Sequence, residues 1–412
     1  MSALLIRNAR LATPLSSTTN QPAWQLREVF PAAMLCENGL IQNLGPQSEV
    51  LAQVSECEEL DAGGRLLVPG FVDCHTHPVF FNHRAHEFVE RTQGATYKEI
   101  SARGGGIRYS VRDLRAAEAE PLLQRVVQRL DTFLAYGTTT IEAKSGYGLS
   151  LEHELRSLEI LQRASAVHAV EIVPTFLGAH EVPDEYREQR GRYLDLVVEE
   201  MLPLVAARKL AKFIDVFCEG HVFSETESMR ILQAGLKYQL VPKIHADQLT
   251  ESGGARVAIA TQAASADHLE FTAPALYREL QHAGVVPVLL PGADFFIRAQ
   301  RYADAQGMIA AGLPVAIATD FNPGTCMTES MPMIMTLACL ALRMTPAQTL
   351  CAATLHAAQA LRLGNIIGSL EVGKQADAVL FDLESVNEIP YHFGVNHVHT
   401  VLKKGEVVLQ RG

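Results

Sequence analysis

Eight short apolar runs separated by longer amphipathic stretches occupy the middle of this chain, and that alternation restricts the fold more than any single motif. The runs are Leu67 to His75, Thr138 to Ala143, Val170 to Leu177, Phe213 to Cys218, Leu240 to His245, Ser265 to Phe271, Val285 to Leu290 and Val315 to Thr319. Helical periodicity lies between them, at Leu122 to Tyr136, Leu151 to Ala164, Tyr186 to Ala207, Glu225 to Leu236 and Gly254 to Gln262. A strand covered on both faces reads as a near-continuous apolar run, the mark of a parallel sheet. Eight such units predict an α/β fold, a (β/α)8 TIM barrel over residues 66–365. An open doubly wound sheet is the alternative, but no G-x-G-x-x-G turn follows the first strand. Gly104-Gly105-Gly106 has neither a preceding strand nor a following Lys-Ser/Thr, so it reads as a flexible loop element and not a phosphate cradle.

The flanks have a different texture. Residues 1–65 carry short alternating segments (Leu4 to Arg7, Ala33 to Cys36, Leu40 to Leu44) broken by Pro, Asn and Gly. Residues 366–412 do likewise at Ala378 to Phe381, His399 to Lys403 and Val407 to Gln410, with a turn at Lys404-Gly405-Glu406. Both read as antiparallel β. The simplest assembly is one small β-sandwich from both termini, with the barrel inserted between its halves.

A chain of 412 residues, 48% hydrophobic and 20% charged, has the make-up of a soluble globular protein. Its net charge of −11 argues against a nucleic-acid backbone or an anionic membrane as partner. The seven cysteines are scattered and free of any C-x-x-C, as in a reduced compartment. Cys74 is expected in the core, facing away from its neighbour His75. No signal-like segment or membrane-length apolar run is evident, so a cytoplasmic location is expected. A homodimer is expected only from the frequency of such oligomers.

Barrel chemistry collects at the carboxyl ends of the strands. Here those ends carry His75-Thr76-His77, Glu142-Ala143-Lys144, His180-Glu181, Cys218-Glu219-Gly220-His221, His245-Ala246-Asp247-Gln248, Asp267-His268-Leu269-Glu270, Pro291-Gly292-Ala293-Asp294 and Thr319-Asp320. Residues two apart on a strand share a face, so His75 and His77 aim at one point and suit a divalent metal. Taken singly, each His reads as a satisfied packing residue, and Asp320 as a helix cap. His at the ends of strands one, three, five and six, with Asp at strand eight, is a pattern that packing alone does not explain.

These residues and their order resemble the amidohydrolase superfamily of metal-dependent hydrolases, across the entire chain. Narrower segments resemble its imidazolonepropionase family: Asp73 to Phe80, Arg84-Ala85-His86-Glu87, Gln93 to Tyr97, Lys144 to Gly148, Gly178 to Glu181 and Asp320 to Gly324. The resemblance implies a (β/α)8 barrel that opens the ring of 4-imidazolone-5-propanoate with water, giving N-formimidoyl-L-glutamate. It implies His75, His77, His245 and Asp320 as metal ligands, with His268 near the metal or, preferably, the substrate. Binuclear relatives need a carboxylated lysine on strand four, which ends here in Cys218-Glu219, so one metal ion is expected. Zinc and iron both accept three His and one carboxylate.

By the same resemblance Asp320 moves the proton of the attacking water and His268 holds the developing oxyanion. Arg84 is expected to pair with the substrate carboxylate. Tyr147 and His180 would bind the ring or carboxylate, Tyr97 would add a hydroxyl contact, and Asn322, Gly324 and Thr325 would touch substrate or product. Asn322-Pro323-Gly324 also reads as a plain turn. Gln248 stands where deaminase relatives place a proton-shuttling Glu; an amide binds but does not exchange protons, which argues against a deaminase. A hydantoin-type amidase would show the strand-four lysine, and a silent scaffold would have lost a ligand. Glu219 and His221 read equally as supports for a ligand histidine or as surface residues.

Overall fold

The structure, a computed structural model, describes residues 3–16, 24–54, 57–95, 99–100 and 103–411. The barrel strands are β1 (Phe71–Asp73), β2 (Thr138–Lys144), β3 (Glu171–Ala179), β4 (Phe213–Cys218), β5 (Val241–Ala246), β6 (Ser265–His268), β7 (Val286–Leu289) and β8 (Ala316–Ile317). They form one eight-stranded sheet in chain order, and every neighbouring pair is parallel. The segments after β1 and β8 close it. Thr76 bridges Phe321, the His77 amide donates to Phe321 O at 2.8 Å, and the Asp320 amide donates to His75 O at 3.1 Å. The seam of the barrel is therefore built from residues expected in the site.

All seven residues of β2 are buried, including Glu142 and Lys144, because the strand is covered outside by helices and inside by its partners. The helix Ala119–Ala135 turns Leu122, Val126, Leu130 and Phe133 inward on one face. Glu225–Lys237 starts at a capping box between Ser224 and Glu227. Over Tyr186 to Ala207 the expected single helix changes pitch, from a 3-10 turn (Asp184–Gln189) to α (Arg190–Asp195), π (Leu196–Met201) and α (Leu202–Ala207). Pro203 cannot donate a helical hydrogen bond, and the widened turn just before it absorbs the break. Met331–Ala341 is a helix with no sequence period to announce it, because it is apolar nearly all round and largely buried.

The run expected as one strand from Leu67 to His75 is two. Leu66–Pro69 pairs with Leu4–Pro14 and with Ala378–Phe381, whereas β1 belongs to the barrel. Gly70 is the crossing point: its amide donates to Asp377 O at 3.0 Å, and the next amide, Phe71, donates to Gly137 O at 3.0 Å. A Cβ at Gly70 would lie 2.3 Å from Thr139 Oγ1, so only glycine lets the chain pass. Leu66–Pro69 also unites the termini. The halves of the expected sandwich share hydrogen bonds and form one eight-stranded sheet, closed over a core of Ile6, Met34, Ile41, Leu67, Leu380 and Leu402. Cys74 is buried in an apolar cluster with Val72 and Val288, as expected.

Candidate active site

His75 and His77 lie just past β1, not within it. The bridge of Thr76 to Phe321 supplies the extended geometry that keeps both rings on one side. Their Nε2 atoms are 3.2 Å apart, and with His245, near the end of β5, they place three ligand nitrogens within 4.8 Å of one another. Asp320 Oδ1 is 3.4 Å from His75 Nε2 and 3.5 Å from His77 Nε2. Its backbone is left-handed (φ 51°), uncommon for a residue with a Cβ. The carboxylate faces the rings, so Asp320 is no helix cap.

Behind the rings lies a second layer of charge. His75 Nδ1 is 2.5 Å from Asp267 Oδ2, and His245 Nδ1 is 3.1 Å from Asp215 Oδ1. These contacts turn both Nε2 atoms toward the barrel axis. Lys144 Nζ donates to Glu142 and Asp215, each at 2.7 Å, and Lys243 Nζ donates to Cys74 O at 2.8 Å. Glu142, Lys144, Asp215, Lys243 and Asp267 are wholly buried. Sequence reasoning passed over Asp215 and Lys243 as members of this layer. The available signal was a charged residue inside an otherwise apolar barrel strand.

Burial pushes His245 down to about 3, against the pull of Asp215. Burial lowers His77 and, aided by His77 and His245, takes His180 well below its ordinary value. Neutral imidazoles are what a metal requires. Burial and Lys144 push His75 down, but Asp267 and Asp320 outweigh them and raise it to about 9. Burial raises the Asp320 carboxyl, but His75 and His77 hold it well below the carboxylate range. A divalent cation between these groups would neutralise the Asp320 carboxylate that faces both rings. His245 Nε2 is buried with no hydrogen-bond partner, and this donor set fits a divalent metal.

The same cavity is lined by Arg84, Tyr147, His180, Gln248, His268, Asn322 and Thr325, together with His77, His245 and Asp320. Arg84 is 3% exposed, and its Nε and Nη1 have no hydrogen-bond partner. A Cβ at Gly324 would fall on its guanidinium, so that glycine makes room for the arginine. Asn322 Oδ1 accepts from the amides of Gly324 and Thr325 at 2.8 and 2.7 Å, so Asn322 builds the turn and also faces the cavity. His180 stacks on His77 with ring centroids 5.1 Å apart. Tyr97 lies outside the described residues.

Glu219 accepts from the Leu249 amide at 2.9 Å and from the Thr250 hydroxyl, which fixes the loop that carries Gln248. His221 lines the cavity. Gly104-Gly105-Gly106 is tied down rather than free: the Gly106 amide donates to buried Glu87 at 2.7 Å. The following Ile107 joins Phe217, Leu249 and Ile297 as cavity wall. Sequence reasoning missed these four, because an apolar wall residue carries the same pattern as a core residue.

The profile of the amidohydrolase family matches residues 66–408. The chain is 45% identical to the imidazolonepropionase of Geobacillus kaustophilus (strain HTA426), covering 100% of this chain and 99% of that one. It is 44% identical to the imidazolonepropionase of Brevibacillus brevis (strain 47 / JCM 6285 / NBRC 100599), covering 99% and 98%. Among solved structures it is similar to E. coli guanine deaminase (TM-score 0.78, 15% identity, 100% of both chains). The 5-methylcytosine deaminase of Klebsiella pneumoniae liganded with 5-fluorocytosine is also similar (TM-score 0.75, 18% identity, 99% and 98%). At those identities the two deaminases share the fold alone. The full-length likeness to the first two relatives, joined to the histidine cluster at the barrel mouth, makes this chain a member of the amidohydrolase family, in its imidazolonepropionase branch.

Proposed function

We infer that this chain hydrolyses the ring C–N amide bond of 4-imidazolone-5-propanoate, giving N-formimidoyl-L-glutamate, a step in histidine degradation. The observation that carries this reading is Arg84, a buried guanidinium whose Nε and Nη1 have no hydrogen-bond partner, its Nε 3.7 Å from the Glu87 carboxylate, in the cavity that holds the histidine cluster. A substrate with an anionic tail beside a cyclic amide satisfies both at once. His75, His77, His245 and Asp320 would hold one divalent ion, zinc or iron. When bound, such an ion makes water more acidic and polarises a carbonyl.

The chain's own residues do the rest. Arg84 fixes the propionate, and Tyr147 and His180 orient the ring. Asp320 takes a proton from the attacking water and delivers it to the ring nitrogen as the C–N bond breaks. His268 steadies the oxygen that gains charge, while Gln248 binds without exchanging protons. Asn322, Gly324 and Thr325 shape the side next to Arg84. Among the described residues no helix is long and apolar enough to cross a membrane. The test is loss of imidazolone absorbance with metal-loaded and chelated protein, and identification of the product. Chelator-sensitive formation of N-formimidoyl-L-glutamate is expected; metal-loaded protein that leaves the substrate intact would overturn the assignment.

A further inference from the structure

Two buried carboxyls near the site have no part in the chemistry above. Glu270 and Asp294 are each 3% exposed; the Glu270 carboxyl lies against that of Asp294, and neither Glu270 oxygen is paired with any donor of the described residues. Two carboxylates cannot both ionise at that separation in a dry site, so one proton stays between them. The acid is Asp294: burial first, then Glu270, pushes it up to about 9. Glu270 Oε1 is 3.7 Å from His268 Nδ1, and neither atom has a hydrogen-bond partner. The 3.7 Å separation exceeds a hydrogen bond, and contacts of this kind shorten when a site closes on its substrate.

The backbone points the same way. His268 and Leu269 hold φ of 81° and 72°, values that side-chain-bearing residues adopt at a cost. The Leu269 amide donates to Ala246 O at 3.0 Å and the Phe271 amide to Asp247 O at 2.9 Å, so the turn is held from outside. Its effect is to place His268 in the cavity with its other nitrogen facing Glu270.

We propose that Glu270 and Asp294 are a positioning pair for His268: Asp294 donates its proton to Glu270, and the remaining negative charge accepts Nδ1–H of His268. No bond to substrate is involved. With Nδ1 occupied, the ring is held so that Nε2 faces the cavity, on the side where the substrate oxygen would lie. This deepens the reading of His268 as a substrate-facing group and rests on it.

The test uses zinc-loaded protein with isotope-labelled histidine, the His268 signals being assigned by difference with His268→Asn. Asp294→Asn preserves a donor to Glu270. It should keep the Nδ1–H signal of the parent and a kcat within about threefold. Glu270→Leu should lose that signal and lower kcat at least about tenfold with little change in KM. If Glu270→Leu does not fold, Asp294→Leu replaces it, since Glu270 without its neighbour is no longer held against Nδ1. An unchanged Nδ1–H signal in folded Glu270→Leu or Asp294→Leu overturns the proposal. The nuclear readout needs no turnover, so failure of the substrate assignment would show as an inactive parent with this pattern intact.

Discussion

Both ends of the barrel bury lysines among carboxylates, yet the two networks serve different purposes. At the mouth, Lys144 and Lys243 lie beneath Glu142, Asp215 and Asp267, and two of those carboxylates grip His75 and His245. At the opposite end, Lys403 Nζ donates to Asp377 at 2.8 Å, Glu171 at 3.1 Å and Thr140 at 3.3 Å. Glu171 opens β3 and Thr140 lies near the start of β2, so this network clamps the terminal sheet onto the barrel. The same chemistry orients ligands at one end and joins two layers at the other. What differs is what each carboxylate does with its remaining oxygen.

Paired substitutions separate the two roles. Lys144→Met leaves Glu142 and Asp215 buried without their shared cation, and should cost about 3–5 kcal/mol of stability and much of the bound metal. Lys403→Met should cost less, because Glu171 is about one-third exposed on its side chain and solvent screens it. Thermal melts with metal analysis check both, and Lys403→Met should retain its metal. Loss of metal in both variants would erase the distinction.

Asp267→Asn sharpens it further. The amide oxygen still accepts from His75 Nδ1, but the charge is gone, so metal affinity should fall about 10- to 100-fold while the fold persists. Asp377→Asn at the far end should leave metal affinity unchanged. Competition with a chromogenic chelator measures the two side by side.

Opposite pH profiles make the smallest contrast. Burial raises Glu171, but Lys403 outweighs it and the folded value is lowered. Its stabilising effect is present above the unfolded value and is lost as pH falls through the lowered one, so Glu171→Gln should cost stability at neutral pH and little in acid. Asp294 is raised, to about 9. The folded state then holds a proton that the unfolded chain has released, and stability falls as pH rises toward that value. Asp294→Asn should therefore gain stability over the parent as pH climbs from acid toward 9, as melts across pH would record.

The sequence made some of this legible and hid the rest for physical reasons. Strands β2 to β8 could be read because burial on both faces leaves continuous apolar runs, and His245 and Asp320 stood out at their ends. The division at Gly70 did not show, because strands on either side of it are equally buried. Glu58–Asp61 is a mostly exposed strand of polar composition and left no apolar trace. The proposed ligands could be picked out because His75, His77, His245 and Asp320 lie where barrel strands end. The support beneath was half-visible: Asp267 was noted for its neighbour, while Asp215 passed as an ordinary strand residue. Cavity walls such as Ile107 and Ile297 come from segments whose apolar pattern says only that they are buried somewhere.

Arg84 is proposed to couple an anionic tail to a metal-dependent ring opening. This coupling is tested most directly by kcat/KM for 4-imidazolone-5-propanoate against its neutral propanamide analogue, in the parent and in Arg84→Ala. A charged hydrogen bond contributes about 1.5–3 kcal/mol, so the parent should prefer the carboxylate by about 10- to 10²-fold and the variant should lose most of that preference. The same preference in both proteins would contradict the account and place the carboxylate elsewhere.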